Sequence, residues 1–412
     1  MYDTIVIGAG LAGLMAAIGR AERGEKVLVL AKGHGTTHWT TGCLDLLAEV
    51  DNPIAGIIDL THQRPHHPYA LVGPTMIEQG IARFRAICEA AGYPMVGNYN
   101  RNLLLPTALG ALRPTAFAPA TMINGDARQL RDGRPTLIAS FGVLRDFFPP
   151  LIAANLRAQG IAAEAALLTL PPTGRQHDFS PVILARMFDQ PDFRARVGEQ
   201  LAAFVRKGGY ARIGMPAILG LKHPTEVIRD LQNRAGALIF EIPTLPTSVA
   251  GMRLYHILEN ALLSLGGRIQ LGGFVQRGEH LKETLVAVFS EAAAREQRHT
   301  ARRWVLATGG ILGGGIRATP EGHLRETALN LPLQTPDSRS GWFAARFLAE
   351  QGHPVFQSGV RVDRSLRPLD ASGRLVYENV MVAGSALAGF DPVREGCLEG
   401  VAIATGWAAG QQ

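Results

Sequence analysis

Three glycines near the start of the chain stand at a spacing that serves phosphate chemistry: Gly8-Ala9-Gly10-Leu11-Ala12-Gly13. In a G-x-G-x-x-G pattern the first glycine makes a turn too tight for a side chain. The second lets the backbone come close to a phosphate, and the third packs the following helix closely. The N–H groups of Leu11, Ala12 and Gly13 then face that phosphate at the positive end of a helix dipole. A second small loop, Thr40-Thr41-Gly42-Cys43, supplies hydroxyls and amides without bulk and suits the same kind of ligand, its plainer reading being a turn. Ala307-Thr308-Gly309-Gly310 and Gly384-Ser385 are further runs of small residues.

The titratable residues are less directive. Three cysteines, Cys43, Cys88 and Cys397, are scattered, with no CxxC pair, so neither a disulfide framework nor a zinc ribbon is indicated. Among 12 histidines, His67, His177 (beside Asp178) and His38 are the better placed to act as a base, each set against the ordinary reading of a satisfied histidine. His34 and His38 are four apart, but Gly33 and Gly35 make that stretch a loop, so helical metal-ligand geometry is absent and no metal is expected. Arg253 follows Pro243-Thr244-Leu245-Pro246 and Gly251, where a guanidinium could grip an anion or brace a helix start. Asp391, before Pro392, reads as an acceptor for a ligand or as an N-cap.

The chain that must position these groups has 412 residues, 47% hydrophobic and 18% charged, with 47 glycines and 25 prolines. That is the composition of a turn-rich globular α/β protein, and it excludes disorder, collagen and coiled coil. The formal net charge is +6, and only five of the 41 basic residues are lysine. Such an arginine excess is compatible with anionic ligands and equally with a GC-rich coding bias. Without a block of like charges, and with aromatics at 7%, nucleic-acid binding is not expected. Ile5 to Ile18 is apolar, but it follows Asp3 and is broken by glycines, so it is not a signal peptide. No other stretch reaches membrane-spanning length, and a cytoplasmic protein is expected.

Thr4–Ile7, Leu11–Arg23 and Val27–Leu30 read as strand, helix and strand, the one setting in which the glycine fingerprint carries weight and points to a nucleotide or flavin site. The middle of the chain shows two further α/β repeats: strand 136–140, helix 144–159 and strand 161–170, then strand 211–215, helix 224–235 and strand 237–242. Neither repeat carries a phosphate fingerprint. Helix 252–265 and strands 267–274, 303–306 and 379–382 follow, and the chain closes with a small-residue helix over 400–409. The expected domains are a flavin-binding domain over 1–56 and 251–412, interrupted by an inserted α/β domain over 57–250.

The N-terminal fingerprint, the Ala-Thr-Gly-Gly after a strand and the glycine-rich C-terminal end together resemble two-dinucleotide-binding flavoproteins, with a Rossmann-like FAD domain and an inserted α/β cap. More specific stretches resemble one family, the B subunit of anaerobic glycerol-3-phosphate dehydrogenase: His38 through Leu47, His67-Pro68-Tyr69, Met215-Pro216-Ala217, Pro243 through Pro246 with Ser248, Gly251 and Arg253, and Gly389-Phe390-Asp391-Pro392 with Gly396-Cys397.

The resemblance implies oxidation of sn-glycerol 3-phosphate to dihydroxyacetone phosphate. Electrons would pass toward quinone through a larger flavoprotein subunit and a membrane-anchoring iron–sulfur subunit, which would hold this chain peripherally at the inner membrane face. One flavin is implied, FAD by the fingerprint and FMN by the family. Its contacts would be Gly8, Gly10, Leu11, Ala12, Gly13, Ala31, Lys32, Thr40, Thr41, Gly42, Cys43, Ala307, Thr308, Gly309, Gly384, Ser385, Phe390, Asp391, Gly400 and Val401. Arg253, His67 and His177 are the candidates for catalysis. Two positions depart from the broad flavoprotein pattern: Ala31 stands where an acid usually grips a ribose, and Ser385 where an aspartate usually follows the glycine. Two other functions fit the same residues: a flavin dehydrogenase for another small anion, and a non-catalytic electron relay.

Overall fold

The computed structural model describes residues 1–171, 179–292 and 295–412; His177 lies outside them. The chain forms two compact units. The first comprises Met1–Thr37, Asp45–Ile87 and Tyr255–Gln412, and the second His38–Leu44 and Cys88–Leu254. The expected boundary at residue 57 differs from this division. The helices Pro53–Gln63 and Pro68–Ala90, which the sequence pattern did not announce, run largely within the first unit, and the short loop His38–Leu44 goes to the second.

The first unit is built on a five-stranded parallel sheet in the order Arg268–Leu271, Val27–Ala31, Tyr2–Ile7, Ala301–Leu306 and Val380–Val382. The central strands are apolar over most of their length and buried, as a sheet covered on both faces demands. Against it packs the helix Leu11–Glu22, and the C-terminal helix Leu398–Gln411 packs in turn on that helix. Glycine lets the two helix backbones meet: a β-carbon on Gly406 would fall 2.3 Å from the Ala12 carbonyl oxygen, and Gly19 stands against Gly410. The expected strand 267–274 is shorter, because Gly272 takes φ +83° and ends it. Phe274 then opens an antiparallel three-stranded sheet, Phe274–Leu281, Thr284–Ala292 and Arg295–His299, that local patterning had not separated from its surroundings.

The second unit holds a four-stranded parallel sheet in the order Leu238–Ile242, Arg212–Pro216, Thr136–Phe141 and Ala163–Leu168. The two α/β repeats expected from sequence are present. The first helix begins at Pro149 rather than 144, since Phe148 precedes a proline and stays extended while Pro149 and Pro150 suit the first helical turn. One core joins the sheet and its helices, with Phe141, Phe188 and Phe193 clustered around Leu184, Val197 and Ile213.

Candidate functional site

The fingerprint glycines sit at the carboxyl ends of the first unit's central strands, each for a distinct steric reason. Gly8 has φ +117°, and a β-carbon there would lie 2.2 Å from the Ala307 carbonyl oxygen. At Gly13 it would lie 2.0 Å from the Gly8 oxygen, so the helix can approach the strand only without a side chain. Gly10, the N-cap of Leu11–Glu22, differs: a β-carbon there would meet nothing within 4 Å, and the cap offers no side-chain hydrogen bond to the first-turn amides. An open space in front of uncapped helix amides, with no acid in the first turn, is what a dinucleotide's phosphates require.

Two neighbouring strand ends complete the cradle. After Ala301–Leu306 the chain runs through Ala307, Thr308 and Gly309, and the Thr308 hydroxyl is buried without a partner. After Val380–Val382, Gly384 (φ +70°) donates its amide to the Thr405 hydroxyl, and Ser385 accepts a hydrogen bond from the Gly310 amide at 3.1 Å. The serine that replaces the usual acid therefore ties two loops together. Ala31 is buried at the end of its strand, and Lys32 is exposed, with its ammonium 5.6 Å from the centre of the Phe274 ring. An open phosphate approach, an orphaned hydroxyl and free helix amides fit a bound flavin dinucleotide.

The family-type stretches of the first unit converge on the start of the C-terminal helix. Gly400 donates its amide to the Asp45 carbonyl at 3.0 Å, and a β-carbon on it would clash with the Tyr69 hydroxyl, which itself donates to the Leu46 carbonyl at 2.8 Å. Val401 is fully buried behind it. Gly400 and Val401 thus pack the helix in place, and the expected flavin contact there gives way to internal hydrogen bonding. Phe390 is likewise buried, edge-on to His67. Asp391 caps the turn that follows it, its Oδ1 accepting from the amides of Val393 and Arg394.

His67 is not placed as a free base. Its Nδ1 accepts the Tyr69 amide, so Nε2 carries the proton and donates to Glu395 at 3.0 Å. Burial lowers its pKa, and the neutral ring satisfies both neighbours. Burial works against the Glu395 carboxylate, but the hydrogen bonds from His67, the Asp391 amide and Arg64 outweigh it and hold the group at about 2. Arg64 also donates to the Gly389 carbonyl, so this network fastens the loop 389–396 to the start of the Pro68–Ala90 helix. Cys397 donates its thiol to Glu395, and burial raises its pKa, so it rests protonated. His67, Glu395 and Cys397 lie close enough to share a metal ion. The Tyr69 amide makes that unfavourable, because a metal at Nε2 would move the ring proton to Nδ1, against another donor.

A pH test follows from these directions. The unfolded chain takes up protons at His67 below about 6.5 and at Glu395 below about 4.5, whereas the native state resists both. Stability should therefore fall as pH drops through those values toward 2. In thermal melts Glu395→Gln should be less stable than wild type at pH 7 and lose less on acidification below pH 4.5. Equal slopes would remove Glu395 from this role.

In the second unit, Thr40, Thr41, Gly42 and Cys43 lie against Ser248–Ala250. The Ser248 amide donates to the His38 carbonyl, Gly42 (φ +80°) faces Ala250, Thr41 Oγ1 accepts from the Cys43 amide, and Cys43 is buried with Met122 and Ala217. Arg253, expected to meet a phosphate, is 3% exposed and engaged inside the unit. Its Nη1 and Nη2 donate to Glu241 at 2.6 and 2.9 Å, its Nε to the Gly220 carbonyl at 2.8 Å, and Nη1 also to the Tyr93 hydroxyl. Burial opposes its charge, but Glu241 overcomes this and raises the pKa. The guanidinium is a brace: its charge is matched and its fork filled. Sequence could not reveal this, because Glu241 is an ordinary strand residue until the sheet brings it beside residue 253.

The family model described as FAD binding domain matches residues 3–401. The anaerobic glycerol-3-phosphate dehydrogenase B subunit of Pectobacterium atrosepticum is 32% identical over 98% of this chain and 96% of its own, and that of Pectobacterium carotovorum is 33% identical with the same coverage. A probable B subunit of the same enzyme from Halobacterium salinarum is 31% identical over 99% of this chain and 96% of its own. Among solved structures, the open conformation of a flavocytochrome c3 fumarate reductase aligns with all of this chain and 77% of its own at 10% identity and a TM-score of 0.46. The chain, with its open glycine cradle at the carboxyl edge of a parallel sheet, belongs to the FAD-binding domain family and, within it, to the family of anaerobic glycerol-3-phosphate dehydrogenase B subunits.

Proposed function

We propose that this chain is the B subunit of a multi-subunit dehydrogenase that oxidises sn-glycerol 3-phosphate to dihydroxyacetone phosphate. The observation that carries this reading is identity of 31–33% along nearly the whole length of proteins named as B subunits of that enzyme, in a chain whose fingerprint cradle is sterically open. A bound FAD supplies an acceptor for two electrons that it can pass on one at a time. The chain's own part is to hold and orient that group: Gly10 and the amides of Leu11, Ala12 and Gly13 at the phosphates, with Thr308, Gly309 and Gly384 beside them. Electrons would leave through a larger flavoprotein subunit and a membrane-anchoring iron–sulfur subunit toward quinone. Among the described residues no helix is long and apolar enough to cross a membrane, so attachment to the inner face, from the cytoplasmic side, would run through those partners.

A second reading has one specific support. His67 and Arg253 are both engaged internally, which favours an electron relay in which the partner subunit oxidises the substrate. Anaerobic addition of glycerol 3-phosphate separates the two. Bleaching of the flavin band in the purified chain alone is expected for a catalytic subunit; bleaching only after the larger subunit is added assigns the chemistry to that partner. No bleaching in the assembled complex would overturn the proposed substrate.

A further inference from the structure

Between the short hairpin Ile316–Ala318 with Leu324–Glu326 and the strand Val380–Val382, the first unit carries a stretch with no part in the flavin cradle. Within it Phe343, Phe347 and Leu348 are 60, 88 and 87% exposed. Nowhere else among the described residues do three large apolar side chains, each more than half exposed, fall within six positions. Single exposed apolar residues are ordinary, whereas a cluster of them marks a surface that something covers.

An ordered loop holds the cluster outward. The Val355 amide donates to the Trp342 carbonyl at 3.1 Å, which brings the two ends of the loop 342–355 together over the buried Trp342 and Val355 side chains. His353 ties the interior. Its Nδ1 accepts the Ala344 amide at 3.1 Å, so Nε2 carries the proton and donates to the Phe347 carbonyl at 3.0 Å. The same ring stands edge-on to Phe343, with centroids 5.5 Å apart. The Gly352 amide donates to the Ala349 carbonyl at 3.0 Å, and the Arg394 guanidinium donates to the Glu350 carbonyl. A surface loop whose ends meet and whose own side chains fill it is an Ω-loop. Here backbone groups are tied inward and apolar side chains are presented outward, so docking needs less ordering than a free loop would.

Area and charge select the occupant. Three such side chains expose on the order of 400 Å², about half of what one partner buries in a stable protein–protein interface. Over 337–355 the exposed charges are Arg339 and Arg346 against Asp337 and Glu350, beside the half-buried His353. An anionic lipid surface draws on an excess of cations, and this loop has none. An aromatic, arginine-bearing centre inside a rim of both signs is instead the anatomy of a protein interface. Arg346 lies between Phe343 and Phe347 in the chain and makes no ion pair among the described residues, so a facing surface that covers it has to supply a carboxylate.

We propose that the loop 342–355 docks into an apolar pocket, with a carboxylate at its edge for Arg346, on the larger flavoprotein subunit of the enzyme. The choice of that partner rests on the functional reading above; the docking surface rests on the loop itself.

Sedimentation of the FAD-loaded chain with the purified larger subunit reads the affinity directly. The double variant Phe347→Ser with Leu348→Ser should weaken association about 100-fold or more, the loss expected when two central anchors are removed. Arg346→Glu should weaken it about tenfold and flatten its dependence on salt. Both variants should keep the full FAD content and the wild-type melting temperature, because the replaced side chains lie in solvent. Wild-type affinity in both variants would overturn the docking surface. So would a wild-type chain that pairs with itself through this loop, or one that pellets with phosphatidylglycerol vesicles through it, while the variants still bind the larger subunit. A complex that depends on the loop but fails to oxidise glycerol 3-phosphate counts against the functional reading alone. A complex that oxidises it and forms equally well with the double variant counts against the loop alone, and no association of the wild type with that subunit overturns both.

Discussion

Gly10→Val should give a folded, colourless protein. The backbone at Gly10 is extended, with φ −76° and ψ −179°, a conformation valine adopts freely, and the new side chain would meet no protein atom within 4 Å of its β-carbon. What it occupies is the approach to the first-turn amides. Loss of even two hydrogen bonds to a charged phosphate amounts to roughly 3 kcal/mol or more, at least about 100-fold in cofactor affinity. Far-UV circular dichroism and the thermal midpoint of the cofactor-free protein should match those of cofactor-free wild type, while bound flavin falls below detection after gel filtration. Gly8→Ala and Gly13→Ala supply the contrast. Their β-carbons would lie 2.2 and 2.0 Å from backbone oxygens, so both variants should lose fold stability together with the flavin. A yellow, fully loaded Gly10→Val protein would move the cofactor away from the fingerprint.

Arg253→Ala should act on stability rather than on substrate. Removing one member of a buried ion pair leaves the other as an uncompensated charge, which costs about 3–5 kcal/mol. For a unit of this size that corresponds to a fall of roughly 10 °C in the melting temperature. Glu241 would lose both of its guanidinium contacts, keeping only the Leu219 amide, and the Gly220 carbonyl and Tyr93 hydroxyl would lose theirs. The double variant Arg253→Met with Glu241→Gln should recover much of the loss. No unpaired charge remains in it, and the introduced carboxamide oxygen can still accept from the Leu219 amide. The half-saturating glycerol 3-phosphate concentration of the assembled complex should be unchanged. A variant of normal melting temperature and sharply weakened substrate affinity would return Arg253 to the phosphate.

What the sequence by itself determined was local. The first strand, helix and strand of the fingerprint, the full span of the helix Pro224–Ala235 and the cores of the parallel strands followed from apolar periodicity and from proline and glycine at element ends, which act over a few residues. The separate duties of Gly8, Gly10 and Gly13 were legible for the same reason, since a turn, a close approach and a helix contact are all set within six residues. The long-range partners were not legible. His67 and Glu395 are 328 positions apart and Arg253 and Glu241 are 12, yet in each pair the fold decides which atoms meet. A histidine or arginine has the same chemistry in a catalytic cleft as in a brace. Only the tertiary structure shows that the ring and the guanidinium are already hydrogen-bonded and buried, while the Ser140 hydroxyl is buried and unpartnered. Burial is a property of the folded surface, and it is burial that turns an unmet hydrogen bond into a free-energy cost and a met one into a fixed part of the frame.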